Sequence, residues 1–227
     1  MKKLILSIAF SILFTFNALS HVEHYTKYNS LEYELFRNND LIGFHNYYFE
    51  KKDNTTIVKS EVQFEIVKFG ISLYKYKAVS EEIYENDKFK KFKSNTKQNK
   101  KDKFVNINLN ENGIDLDVNG SSFKGKTSKD FIVGTWWNHE IIKAKAQISA
   151  ISGRVIKQKV SFIGKEQIYI NDKAYNALHF NFSSSDKDLP KEKRLNTDIW
   201  YDEKSFIWLK ASFDKQGHWE YRLKTSK

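Results

Sequence analysis

Val133–Ala146, VGTWWNHEIIKAKA, places a His-Glu pair beside two tryptophans and an asparagine, residue types that can do chemistry. A zinc protease helix needs H-E-x-x-H, so that two imidazoles one turn apart reach one metal while the glutamate acts as base. Here the second ligand position is Lys143, an ammonium, and the motif is excluded. Glu140 is then explained by the attraction of a carboxylate to the positive end of a helix. A second possibility is His21 as a new amino terminus, whose amine and imidazole could chelate copper with a third nitrogen from His45, His139, His179 or His218; the next histidine is His24, so the usual third-place partner is missing. No G-x-S-x-G elbow occurs, and the serines of Ser183–Asp186 lie in a polar stretch before Pro190. Asp198 and Asp202, four apart around a strand end, suit turn capping better than a glycosidase pair. With no cysteine there is no thiolate chemistry. No catalytic residue, metal or cofactor is expected.

Binding is better represented. The chain has 12 Tyr, 18 Phe and 5 Trp, enough aromatic surface to line a cavity in which a few polar tips orient a ligand. All five tryptophans, Trp219 included, could line such a cavity, and the expected ligand-binding residues are Trp136, Trp137, Trp200 and Trp208, with Tyr74 and Tyr76 from the alternating LYKYK; the competing reading is a filled core. Trp200 and Trp208 flank one turn and could face each other across a hairpin. His179, opposite in parity to Phe180, should face solvent or bond across strands. Between Lys88 and Lys103, eight lysines stand against one aspartate. Lys88, Lys90, Lys91, Lys93, Lys100 and Lys101 are the expected contacts to an anionic surface. The alternative is a solvated hairpin whose lysines guard a sheet edge from pairing.

The elements that must position these residues are strands. FVNINLN, NENG and IDLDV read as strand, turn and strand with one apolar and one wet face, and SEVQFEIVKF and NALHFNFSS alternate in the same way. The last 30 residues read as three strands joined at Asp202–Ser205 and Asp214–Gly217, turn-forming segments. About ten strands with short polar connections predict an antiparallel meander, because βαβ units would need helical crossovers. So many twisted strands curl, and the expected fold is all-β, a barrel or strongly curved half-barrel. One short helix is expected near Asn138–Ala146, with Asn138 as its N-cap.

Residues 1–20 read as a signal peptide: Lys2 and Lys3, an apolar run from Leu4 to Phe16, then Ala18-Leu19-Ser20. The run is shorter than the ~20 residues of a membrane span. The remainder, 21–227, shows no linker or composition break and reads as one domain, its proline being Pro190 alone. Export points to the periplasm, with an extracellular location as the alternative, and makes nucleic acid an unsuitable partner despite a formal net charge of +10. The sequence leaves the oligomeric state open.

Four stretches in order carry a family resemblance: YELFRNNDLIGFHNYYF, ISLYKYKAVSEEIYENDKFKKFKSNT, WWNHEII with the Ser-Gly-Arg of Ser152–Arg154, and DIWYDEKSFIWLKASFDKQGHWEYRL. The chain resembles the exported bacterial domain-of-unknown-function family 6134, and more broadly family 3108. The resemblance implies an all-β exported protein and transfers no catalytic residue. The WYD turn also resembles strand ends in periplasmic lipoprotein carriers of half-barrel form. The function expected is a non-catalytic binding or carrier module for a lipid-like or amphipathic ligand. The alternatives are a structural protein of the cell envelope with a filled core and, third, an enzyme acting on polysaccharide.

Overall fold

The computed structural model describes Val22, Tyr25 and residues 27–227 except Lys187. The expected leader (1–20) and the His21 and His24 of the copper reading lie outside the described residues. Among those described, fifteen strands form one sheet. They are β1 Ser30–Arg37, β2 Asp40–Lys52, β3 Thr55–Lys68, β4 Ile71–Glu85, β5 Lys88–Gln98, β6 Lys101–Leu109, β7 Asp115–Gly120 and β8 Lys124–Ser128, followed by β9 Ile132–Val133, β10 Ala146–Ile148, β11 Val155–Ile170, β12 Lys173–Ser184, β13 Asn196–Asp202, β14 Trp208–Asp214 and β15 His218–Ser226. No helix among the described residues is long and apolar enough to cross a membrane.

The order β8 through β1, then β15 back through β9, makes two meanders that meet where β1 pairs with β15. Pairing is antiparallel apart from the two-residue contact of β9 with β10. Three of the turns are two-residue connections in the left-handed region, at Asn38-Asn39, Asn86-Asp87 and Asn171-Asp172, which suits the right-handed twist of the flanking strands and residues that tolerate positive φ. Bulges interrupt the ladders, among them Leu35/Phe36, Ile66/Val67 and Trp200/Tyr201, and each adds local bend and twist.

The edge strands β8 and β9 do not pair, so the sheet is strongly curved and open. Side chains and a loop close the gap instead of a ladder. Val133 and Ile148, from β9 and β10, pack on Phe92, Ile107 and Val118 of the opposite end of the sheet. The Ser149–Arg154 connection reaches the same strands: Ser94 Oγ donates to the Ala150 carbonyl at 2.5 Å and Ser122 N to the Ser152 carbonyl at 2.8 Å. Gly120 is required there, because a Cβ would come within 2.6 Å of the Ser152 oxygen.

The expected helix is a single 3₁₀ segment, His139–Lys143, and Ala146–Ile148 is a strand. Asn138 does cap it, its side chain accepting from Glu140 N at 3.0 Å. The segment lies inside the curve of the sheet, where irregular backbone needs partners. Strand tyrosines supply them: Tyr201 Oη donates to the Trp136 carbonyl at 2.9 Å and Tyr47 Oη to the Thr135 carbonyl. Burial holds the Tyr47 and Tyr201 hydroxyls well above their ordinary pKa, so they stay donors.

An aromatic cleft as candidate functional site

Side-chain parity divides the sheet into an inner and an outer face. One inner rung crosses seven strands, as Tyr76, Phe64, Gly43, Leu35, Tyr221, Ala211 and Ile199. Gly43 has no room for a side chain, because a Cβ would meet the Gln63 carbonyl at 2.0 Å and the Phe64 Cβ at 2.5 Å. Over this close approach Phe64 reaches Trp219, ring centroids 5.2 Å apart. Phe64 also stacks on Tyr76 at 4.7 Å and on Tyr74 at 5.9 Å, and Trp219 stacks on Phe213 at 5.9 Å.

These rings wall a cleft of about 580 Å³ at the end of the sheet where the β1–β2, β3–β4 and β14–β15 turns lie. Tyr221 and Ile151 are among its lining residues, and Arg37 and Gln98 bring polar groups to it. The Arg37 guanidinium donates to the Gln216 carbonyl and lies 6.0 Å from the Trp219 ring, and its buried Nε has no hydrogen-bond partner. Burial raises the pKa of Tyr74, and more so of Tyr76 and Tyr221, so all three present neutral phenols. Alongside runs a shallower recess of about 760 Å³ lined by Leu73, Tyr74, Lys75, Gln98, Asn99, Lys100 and Lys101, so that Leu73, Tyr74 and Gln98 border both. The arrangement can hold an apolar body against aromatic walls and an anionic group beside ammonium ions. It contains no nucleophile–base pair, and among the described residues no three His, Cys, Asp or Glu are grouped to hold a metal.

The structure thus brings together Tyr74, Tyr76, Lys100 and Lys101 of the residues expected from sequence. The four tryptophans lie elsewhere. Trp137 and Trp208 are fully enclosed in the core and Trp136 packs against it. Trp137 Nε1 donates to Glu82 at 2.9 Å, and Trp208 stacks on Tyr33 at 4.1 Å. Trp200 and Trp208 do not face each other: the bulge pairs Tyr201 with Trp208 and leaves Trp200 on the outer face. There Trp200 stacks on His179 at 4.3 Å and donates to Glu166 at 2.6 Å. His179 bonds across strands to Asp198 at 3.1 Å. Asp202 caps the β13–β14 turn, accepting from Ser205 N at 2.7 Å. Lys88 sits at the far end beside the Asn86-Asp87 turn, Lys90 pairs with Glu85 at 3.4 Å, and Lys91 and Lys93 point outward along β5.

The Domain of unknown function (DUF6134) family matches residues 33–224, most of the described chain. The chain belongs to DUF6134. No curated protein matches it. Among solved structures, this DUF6134 chain is similar to a beta-barrel-like protein of domain of unknown function DUF1849 from Brucella abortus, with 14% identity, 87% of this chain and 96% of that chain covered, and a TM-score of 0.59. That likeness is one of fold. A DUF1329 family protein from Desulfovibrio piger ATCC 29098 aligns at 9% identity over 90% of this chain and 89% of that chain, with a TM-score of 0.19 that bears on nothing further.

Phe64, Phe213, Tyr221, Arg37 and Ile151 are cleft residues outside the set expected from sequence, whereas Trp219 is one of the five tryptophans expected to be able to line a cavity. Alternation marks Phe64 as inward-facing, but its meeting with Trp219 depends on the β1–β15 pairing, which joins residues nearly a whole chain apart.

Proposed function

We propose that this DUF6134 protein is a non-catalytic binding or carrier module for an amphipathic, lipid-like ligand in the cell envelope, exported to the periplasm. The observation that carries the proposal is the continuity of the aromatic cleft with the recess edged by Lys75, Lys100 and Lys101. An acyl chain or ring system would lie against Phe64, Tyr76 and Trp219, and its anionic group would meet the lysines and the Arg37 edge. A volume of about 580 Å³ falls in the range of small-molecule sites. The test is native mass spectrometry of the purified chain for a retained lipid, followed by titration with a fatty acid or lysophosphatidylglycerol while Trp219 fluorescence is followed. Tyr74→Ala and Trp219→Ala should each weaken binding about tenfold or more, a loss of ~1.4 kcal/mol. Absence of any bound or titratable amphiphile would reject the carrier.

A second reading has its own observation in favour. The interior below the cleft is filled by Trp136, Trp137, Trp208, Tyr33 and Tyr47, as a structural or interaction protein of the envelope would require. In that reading Trp219→Ala alters stability and nothing else.

A further inference from the structure

The β3–β4 hairpin breaks the turn chemistry followed elsewhere in the chain. Its two turn residues are Phe69 and Gly70, with φ of +52° and +75°. The three equivalent turns place Asn or Asp at both positions, residues suited to the left-handed region, where a bulky side chain is a true outlier. The Phe69 ring is 92% exposed, so packing does not explain it. Around it Val67 (56%), Ile71 (65%) and Leu73 (54%) are exposed as well, and Leu41 (59%) lies on neighbouring β2.

The hairpin also stands clear of the sheet. Pairing of β2 with β3 ends at Gly43↔Phe64, and that of β4 with β5 at Tyr76↔Gln98. Beyond those pairs the two strands bond to each other as far as Lys68↔Ile71. Past Ile66 and Leu73, which wall the cleft, the three residues to Phe69 extend about 10 Å at strand rise, a match to the ~5–10 Å by which an apolar element enters the headgroup–acyl boundary of a bilayer. The projection is ringed by cations. Lys68 Nζ lies 5.4 Å from the Phe69 ring, and Lys100 and Lys101 flank the base without an ion pair among the described residues.

We infer that the β3–β4 tip is a membrane-docking device: Phe69, with Val67, Ile71 and Leu73, enters the interface of an anionic lipid bilayer while Lys68, Lys100 and Lys101 meet its headgroups. Charge complementarity selects the bilayer over a second copy of the chain, whose own tip lysines and net charge of +10 would repel. Ile66, Leu73 and Tyr74 border the aromatic cleft, so docking sets the cleft mouth at the membrane surface. The inference rests on the hairpin and the two lysines at its base and stands whether or not the cleft holds a ligand.

Vesicle co-sedimentation tests it with the chain and three variants. Wild type should bind vesicles containing equal parts phosphatidylcholine and phosphatidylglycerol, bind pure phosphatidylcholine weakly, and release as salt rises. Phe69→Asn combined with Ile71→Ser, both at exposed positions, should keep the native circular dichroism and lose about tenfold or more in partitioning. Lys100→Glu with Lys101→Glu should lose the preference for anionic vesicles. Trp219→Ala, which disables the cleft wall, should bind vesicles as wild type does, so failure of the carrier proposal and failure of docking are read separately. Equal binding by wild type and the tip variant would overturn the inference, as would no binding by wild type. A wild-type dimer in analytical ultracentrifugation that dissociates in the tip variant would assign the surface to a second copy and overturn it too.

Discussion

Glu82 is enclosed with Trp137, Tyr84 and Thr135 at the centre of the molecule. Burial raises its pKa even though Trp137 Nε1 and Tyr84 Oη donate to it at 2.9 and 2.8 Å. The folded value lies above the ordinary 4.5, so over that interval the folded state holds a proton that the unfolded chain has released. The contribution of Glu82 to stability is therefore full below about pH 4.5 and is lost as pH rises through the folded pKa. Glu82→Gln keeps an acceptor for Trp137 Nε1, turns its amide nitrogen into a donor to the Tyr84 hydroxyl oxygen, and removes the titration. Urea unfolding across a pH series should find the variant more stable than wild type at neutral pH, with the gap closing toward pH 4.5; a less stable variant at neutral pH would contradict the account. Truncating its partner has the opposite sign. Trp137→Ala deletes a buried ring and should cost ~3–5 kcal/mol, whereas Trp137→Phe mainly strands the carboxylate and should cost about 1–3 kcal/mol. The same denaturation experiment separates the two.

The 3₁₀ segment holds its place through Gln158 of β11. Its Nε2 donates to the Ile141 and Ala144 carbonyls at 3.0 Å each, and its Oε1 accepts from Gln147 at 2.8 Å. Gln158→Leu keeps the volume and takes these partners from the Ala144 carbonyl and the Gln147 amide, while the Ile141 carbonyl keeps the Ala144 N–H at 3.3 Å, so a loss of ~1–3 kcal/mol is expected in chemical denaturation. Turn chemistry works the other way at the β3–β4 hairpin. Phe69→Asn should gain about 1 kcal/mol by relieving the left-handed backbone, seen as a higher Tm, while vesicle binding falls. An all-β curved meander is legible in the sequence because strands such as β6 and β7 alternate plainly, and so is the Asn138 cap. The helix expected as far as Ala146 is too long because the residue types of IIKAKA favour a helix. Lys143, Ala144, Lys145 and Ala146 alternate exposed and buried, the period of a strand. The fifteen strands exceed the ten or so expected in part because β8, β9 and β10 are short and carry little pattern. Tyr74 and Tyr76 were legible from one alternating strand, but the cleft they share with Trp219 comes from rungs that cross the whole sheet, and local spacing holds no record of which strands meet.

The seam between β1 and β15 unites the two meanders, pairing Leu31 with Ser226 and Arg37 with Trp219. Closing it brings together segments separated by almost the full chain, so its loop-closure entropy is met late, and folding belongs to the slow regime of non-local β proteins. Strand β15 is also where stability and the proposed ligand meet, since Trp219 and Tyr221 line the cleft and Leu223 sits in the core. A chain ending at Gln216 loses the partners of both β1 and β14 and should lack a cooperative unfolding transition by circular dichroism and tryptophan fluorescence. Persistence of that transition would place the organising contact elsewhere. In the intact chain the proposed cleft ligand would act on the seam through β15 and would bind the folded state alone. An amphiphile at a hundred times its Kd should therefore raise unfolding free energy by ~2.7 kcal/mol, read by both fluorescence and circular dichroism. Trp219→Ala should lose most of that shift. A shift that survives in the variant would move the ligand out of the cleft.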